Sequence, residues 1–194
     1  MPANKKYTII RNGTLIDGSG AQPVANEALV IRDGRIHSVG SLPEELVLEN
    51  REDIQIIDAA GMTVMPGLID AHCHLSYGEP QSSEVNNRYT SAEYSALRAA
   101  WNAQKVLRAG VTSICVPGGS WFTDVAVRDS INCGMYEGPR IFCAGRFLSP
   151  YGAITDHEPV WGETPDSSTG VPVNTIPEMV TEVRRQCKAG VDLI

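Results

Sequence analysis

The feature that most constrains this chain is a repeated junction. "RAGVTSICV" (residues 108–116) and "KAGVDLI" (residues 188–194) each carry a helix ending in Ala-Gly, followed by a valine that opens an apolar run. Between them stand a shorter helical segment, "TDVAVRDSINCG", and another apolar run, "PRIFCAGRFLS". The apolar runs do not alternate with polar residues, so they read as strands buried on both faces. Such strands, separated by helices, form parallel βα units. Gly110, Gly134 and Gly190 stand where helices stop. Thr90 with Glu93 and Thr175 with Glu178 read as capping boxes, and Thr123 reads as an N-cap. A (β/α)8 barrel takes about 250 residues. Four of its strands are legible here, the fourth opening at "VDLI", so the chain reads as the N-terminal part of a longer protein.

Residues 1–64 follow a different grammar. "YTIIRNGTLIDGSG" and "EALVIRDGRIHSVGSL" hold short apolar runs broken by Asn12-Gly13 and Asp33-Gly34, both hairpin-turn signals. "IQIIDAAGMTVMPG" adds two more runs around Gly61. The expected organisation is α/β: a small β-sandwich module over residues 1–64, incomplete by itself, and parallel βα units over residues 65–194, a pattern shared by doubly wound sheets and by the first half of a (β/α)8 TIM barrel.

Composition excludes several function classes. A net charge of −7 without a basic stripe argues against nucleic acid and anionic membranes as partners. No apolar run approaches the roughly 20 residues needed to span a bilayer. The five cysteines are scattered and include no CxxC pair, which fits free thiols in a reducing, cytoplasmic setting.

Two of the four histidines fall one residue apart in "PGLIDAHCHL", at His72 and His74. On a strand, residues i and i+2 face the same side, about 6.5–7 Å apart. At the C-terminal end of a barrel strand, where barrel enzymes place their catalytic groups, both imidazoles can converge on one metal ion. Cys73 would point the other way, into packing. Asp70 shares the histidines' parity and could orient a ligand. His37 reads as a strand-surface histidine.

The stretch "IDAAGMTVMPGLIDAHCHL", through Asp58, Gly61, Val64, Pro66, Gly67, Asp70, His72 and His74, resembles the metal-dependent amidohydrolase superfamily. "NGTLIDGSG" and "DGRIHSVG" resemble that superfamily's N-terminal sandwich strands. The resemblance implies a hydrolase with one or two divalent metals, two zinc ions in the binuclear, dipeptidase-like branch. His72 and His74 would be metal ligands. A carboxylated lysine on the fourth strand would bridge the metals; relatives often read "AG-x-D-x-I-K" where this chain has "AGVDLI". The remaining ligands and the general-base aspartate would lie beyond residue 194. The implied reaction is hydrolysis of an amide C–N bond in a small molecule, a dipeptide or N-acyl amino acid, by a homo-oligomer. The alternative is a mononuclear deaminase of the same superfamily. A doubly wound nucleotide-binding domain has no support, since no G-x-G-x-x-G or P-loop follows a strand.

Residues 149–174 form a long loop that follows a strand and would lie over a barrel's mouth. Tyr151 and His157 are its candidate substrate contacts. The resembling peptidases read close to "L-S-x-T-G-G-H-G" at this place. Here "LSPYGAITDHEPVW" lacks the Gly-Gly-His run and puts His157 late. In the loop after the first barrel strand, Tyr77 and Arg88 read as solvated residues or substrate contacts. Gly118-Gly119 reads as a plain turn or as a place where backbone N–H groups approach a ligand, and Trp101 as packing against the barrel.

Overall fold

A computed structural model describes residues 6–43, 46, 52–78, 89–156 and 158–194. The chain divides into two compact units, Met1–Pro66 and Gly67–Ile194.

The first unit is one mixed sheet. Strands β1 (Tyr7–Leu15), β2 (Val24–Arg32), β3 (Arg35–Gly40) and β4 (Ile54–Asp58) run in the order β3-β2-β1-β4, and the short β5 (Thr63–Val64) also pairs with β1. Asp33-Gly34 closes the β2–β3 hairpin as expected. Both residues take positive φ, 49° and 73°, and Arg32 pairs with Arg35 across the two-residue loop. Asn12-Gly13 does not make a turn. Strand β1 runs straight through it with a bulge, Asn12 standing at φ 66°. Asparagine tolerates that conformation, and a left-handed residue inside a strand makes a bulge rather than a reversal. The Asn12 side-chain amide then donates to Asp58 Oδ1 at 3.1 Å. A Cβ at Gly13 would lie 2.8 Å from Val64 Cγ2, so only glycine lets β5 dock here. Ile9, Val30 and Leu46 form the core, with Tyr7, Leu42 and Ile54 packed on it. Among the described residues the unit holds this single sheet; the sandwich's second layer is not among them. His37 is exposed, its ring edge-on to Tyr7.

The second unit begins with β6 (Leu68–Asp70), followed by α1 (Ala92–Arg108), β7 (Val111–Val116), α2 (Thr123–Asn132) and β8 (Arg140–Cys143). The three strands pair in parallel in the order β6-β7-β8. This is the expected βα series, with each helix connecting neighbouring strands. A Cβ on Gly67 would overlap Thr112, so glycine admits β6 beside β7. Leu75, Ala99, Ala100, Ala103, Ile114, Val116, Val125, Val127, Ile141 and Cys143 bury one continuous core. The small alanines on one stripe of α1 bring that helix close to the sheet.

Helix ends differ from the sequence expectation in two places. The N-cap of α1 is Ser91, whose hydroxyl accepts from the Tyr94 N–H, rather than Thr90 with Glu93. At α2 the cap position is Phe122, in a left-handed conformation with φ 90°. Thr123 is the first helical residue and spends its hydroxyl on the Ser120 carbonyl at 3.0 Å. Gly110 and Gly134 do follow α1 and α2 with positive φ. Helix α3 (Ile176–Ala189) has the full Thr175–Glu178 capping box and ends on left-handed Gly190.

The apolar stretch 139–149 is two strands. Gly145 takes φ 77°, breaks the run after β8, and lets β9 (Phe147–Ser149) leave in a new direction. Strand β9 pairs in parallel with β10 (Gly170–Pro172) inside the long segment read as an unstructured loop. "VDLI" forms no strand among the described residues. Its Asp192 N–H donates to the Cys143 carbonyl at 2.8 Å, and Asp192 Oδ2 accepts from the Cys143 N–H at 3.0 Å. A side chain thus takes the place of a ladder bond. Trp101 is 59% exposed instead of packed, with the Lys105 ammonium 3.9 Å above its ring. All five cysteines are free thiols. No helix among the described residues is long and apolar enough to cross a membrane.

Candidate metal centre

Strand β6 ends at Asp70, so strand parity alone does not place the histidines. The chain nevertheless continues along β7. Asp70 Oδ1 turns back to accept the His72 N–H at 3.0 Å, and the Cys73 N–H donates to the Cys115 carbonyl at 2.9 Å. Cys73 packs on the core, as expected. Its thiol is raised above the ordinary range by burial and by the Asp70 charge. The two imidazoles are then brought together, Nε2 to Nε2, at 3.2 Å.

The second nitrogen of His74 explains what this contact is suited to. His74 Nδ1 lies 2.7 Å from the Gly118 carbonyl oxygen. A carbonyl only accepts, so Nδ1 carries the proton and Nε2 presents a lone pair. Metal-bound histidines are commonly oriented this way, the far nitrogen donating to a carbonyl. Two nitrogens on one tetrahedral zinc, each at about 2.0–2.1 Å, stand roughly 3.3 Å apart. That spacing accommodates the 3.2 Å separation found here, which is also the length of an N–H···N contact between the two rings. The residues fit a divalent cation. Among the described residues, no group of three or more His, Cys, Asp or Glu side chains surrounds such a position.

Neighbours hold the His74 ring. Tyr77 stacks on it, with centroids 4.5 Å apart and planes 17° from parallel, and Phe147 approaches at 6.1 Å. The Tyr77 carbonyl and the Leu75 carbonyl each accept from Asn102 Nδ2 at 2.8 Å, and the Ser76 carbonyl accepts from Arg98 Nε at 2.8 Å. Helix α1 thereby pins the turn that follows the histidines. Burial raises the Tyr77 hydroxyl, while its hydrogen bond with Thr169 acts in the other direction. Gly118 is more than a turn residue: a Cβ there would lie 2.6 Å from the Phe147 ring.

No protein-family model matches the chain. It is 45% identical over 74 residues to an enamidase of Eubacterium barkeri, covering 37% of this chain and 18% of that protein. It is 36% identical over 92 residues to an imidazolonepropionase of Colwellia psychrerythraea, covering 45% of this chain and 22% of that protein. The crystal structure of a prolidase complexed with N-methylphosphonate-L-proline matches with a TM-score of 0.80 at 26% identity, over 95% of this chain and 45% of that one. These relatives and structural neighbours support the amidohydrolase superfamily over the partial region that they match. The chain spans less than half the length of these relatives. The superfamily is generally metal-dependent, which agrees with the donor set at His72 and His74.

The other candidate site residues are distributed unevenly. Asp70 supports His72 through the backbone N–H, not through the ring. Tyr151 is 73% exposed, and its N–H donates to Asn174 Oδ1. His157 and Arg88 lie outside the described residues. Tyr77, read from the sequence as a solvated residue or substrate contact, is half-buried and stacked on His74, while Phe147 is too distant in sequence to have been singled out.

A second polar cluster lies at the end of β8. Arg128 Nη1 donates to the Gly190 carbonyl at 2.7 Å, Asp192 Oδ2 at 2.8 Å and Cys143 Sγ at 3.3 Å. Buried Asp124 accepts the N–H groups of Val125 and Gly145, both at 2.9 Å. Burial and the Asp124 charge push the Cys143 thiol up to about 12. Burial works against the Arg128 charge, but hydrogen bonds to Asp192 and Asp129 prevail and raise it above its ordinary value.

Proposed function

We propose that the full-length protein is a metal-dependent hydrolase that cleaves an amide C–N bond in a small molecule, a dipeptide or N-acyl amino acid. The observation that carries this reading is the convergence of His72 and His74 at 3.2 Å, with His74 Nδ1 committed to the Gly118 carbonyl. Likeness to a prolidase bound to a phosphonate–proline ligand supports the substrate class. Strands β6, β7 and β8 are read as the first three of a (β/α)8 barrel, with the sheet of residues 7–64 as part of a sandwich.

His72 and His74 would hold one divalent cation, zinc in this reading, with a second metal and a carboxylated bridging lysine contributed from beyond residue 194. When bound, the metal supplies Lewis acidity to the scissile carbonyl and makes water a nucleophile at neutral pH. The chain's own part is orientation. Gly118 fixes the His74 tautomer, Asp70 fixes the backbone at His72, and Tyr77 and Phe147 shield one ring from free rotation. Tyr151 and His157 stay candidate substrate contacts. The free cysteines support a cytoplasmic setting, and a homo-oligomer remains part of the reading.

The test is elemental analysis of the purified full-length protein, together with hydrolysis of a panel of dipeptides and N-acyl amino acids. Two metals per subunit with amide cleavage are expected. One metal with ammonia release would select the deaminase, and no bound metal would remove the reading altogether.

A further inference from the structure

The peptide unit that joins Gly118 to Gly119 is held from both ends. Its carbonyl accepts from His74 Nδ1 at 2.7 Å, and its N–H donates to the Gly145 carbonyl at 2.7 Å. The unit is trans and planar, so these two groups point in opposite directions and the two bonds fix its plane. Gly145 is held in turn. Its N–H donates at 2.9 Å to Oδ2 of Asp124, 21 positions away in the first turn of α2. Only glycine fits at 145: φ is 77°, and a Cβ would lie 2.9 Å from the Phe122 and Val191 side chains. The other carboxylate oxygen, Asp124 Oδ1, accepts the Val125 N–H at 2.9 Å. Asp124 is 2% exposed, so little water competes for either oxygen. The Val125 bond by itself is a contact within one helix turn. The Gly145 bond leads away from α2, through the Gly118–Gly119 peptide, to the far nitrogen of His74.

We propose that Asp124 is a positioning residue for the histidine pair: through Gly145 and the Gly118–Gly119 peptide it sets the carbonyl that orients the His74 ring. The inference rests on the reading of His72 and His74 as metal ligands, and the experiment separates the two. Asp124→Asn nearly preserves volume but puts an NH2 group against one of the two N–H donors. Zn2+ affinity is measured in the full-length protein by competition with a chromophoric chelator. The His74 Nδ1–H signal is followed by nitrogen-edited NMR in the metal-free protein at fixed pH. Partners that orient a ligating histidine typically change metal affinity 10- to 100-fold when removed. For Asp124→Asn, a loss of about 10-fold is expected, together with faster exchange of the Nδ1 proton with water. Arg128→Met removes the neighbouring ion pair without touching this chain of bonds, and is expected to keep both the affinity and the signal.

Wild-type affinity and an unchanged His74 signal in Asp124→Asn would overturn the role of Asp124. So would an equal loss in Arg128→Met, since affinity would then follow stability and not this chain of bonds. If Asp124→Asn does not fold, the unmutated protein decides. Loading Nε2 makes the Nδ1–H a stronger donor, and hydrogen bonds in a chain strengthen one another. Zn2+ should therefore move the Gly119 amide proton downfield, with the Gly145 amide following by less. Stoichiometric Zn2+ binding that shifts neither amide overturns the proposal. His72→Ala tests the reading beneath it. Metal retained in that variant overturns the ligand assignment, while the His74 signal in metal-free Asp124→Asn still judges Asp124 by itself.

Discussion

Two groups of titratable side chains follow the strands of the same sheet, and they are finished in opposite ways. At the end of β8, Arg128, Asp192, Asp124 and Cys143 satisfy one another and the nearby backbone. Beyond β6, the His72 N–H and the far nitrogen of His74 have backbone or carboxylate partners, and the two Nε2 atoms meet each other at 3.2 Å. A charged cluster that has consumed its own donors and acceptors is structural. A pair of imidazole nitrogens at that distance can exchange its mutual contact for a cation, which is the reading proposed above. Residue type alone would have ranked the first cluster, with its thiol and two carboxylates, as the better metal site.

The contrast can be broken by experiment, beginning with the largest effect. His72→Ala should abolish metal binding and hydrolysis while leaving the far-ultraviolet circular dichroism spectrum and thermal unfolding nearly unchanged. Metal content and activity retained in that variant would end the distinction. Next, Cys143 should resist alkylation. With its thiol pushed up to about 12, its thiolate fraction at pH 8 is on the order of 10³ below that of an unperturbed thiol. Mass spectrometry after timed iodoacetamide treatment should show exposed Cys133 and Cys187 modified first. Fast labelling of Cys143 would mean that its cluster opens readily.

Arg128→Met should destabilise the fold by about 2–3 kcal/mol, because it strands Asp192 and the Gly190 carbonyl, and should leave Zn2+ affinity unchanged. Denaturant unfolding and chelator competition on the same sample check both halves. The smallest effect is acid sensitivity. Burial disfavours the Asp192 charge, but hydrogen bonds from Arg128 and the Cys143 N–H prevail and hold its carboxyl below the ordinary range. A depressed carboxyl contributes stability above its unfolded pKa, about 3.9, and that contribution is lost as pH falls through the lower folded value. Asp192→Asn should therefore lower the denaturant midpoint at pH 6 and flatten its decline below about pH 4. An unchanged slope would show that the pair adds nothing to stability.

Much of this was legible in the sequence, and what was not shares a cause. The βα order, the hairpin at Asp33-Gly34, the box at Thr175–Glu178 and the histidine pair all depend on residues within a few positions of one another. The misreadings came where a distant partner decided. Asn12 became a bulge because β4 and β5 pair beside it. Thr123 lost its cap role because Ser120 took its hydroxyl. The run 139–149 broke because Gly145 answers to Asp124, whose carboxylate takes its N–H. Where "VDLI" reads as opening a fourth strand, Asp192 bonds Cys143 through both its N–H and its side chain. Phe147 reaches the His74 ring from 73 positions away, and no local pattern announces it.

The parallel pairing of β9 with β10 encloses residues 150–169 between two fixed ends. The entropy of closing such a loop grows only with the logarithm of its length, about 0.6 kcal/mol for each doubling. Insertions and deletions there would be nearly neutral for folding so long as the paired base persists. The chain therefore has a stretch in which evolution can change length and composition beside the proposed centre without disturbing the histidines. In this architecture, the length of that loop and the histidine pair can vary independently.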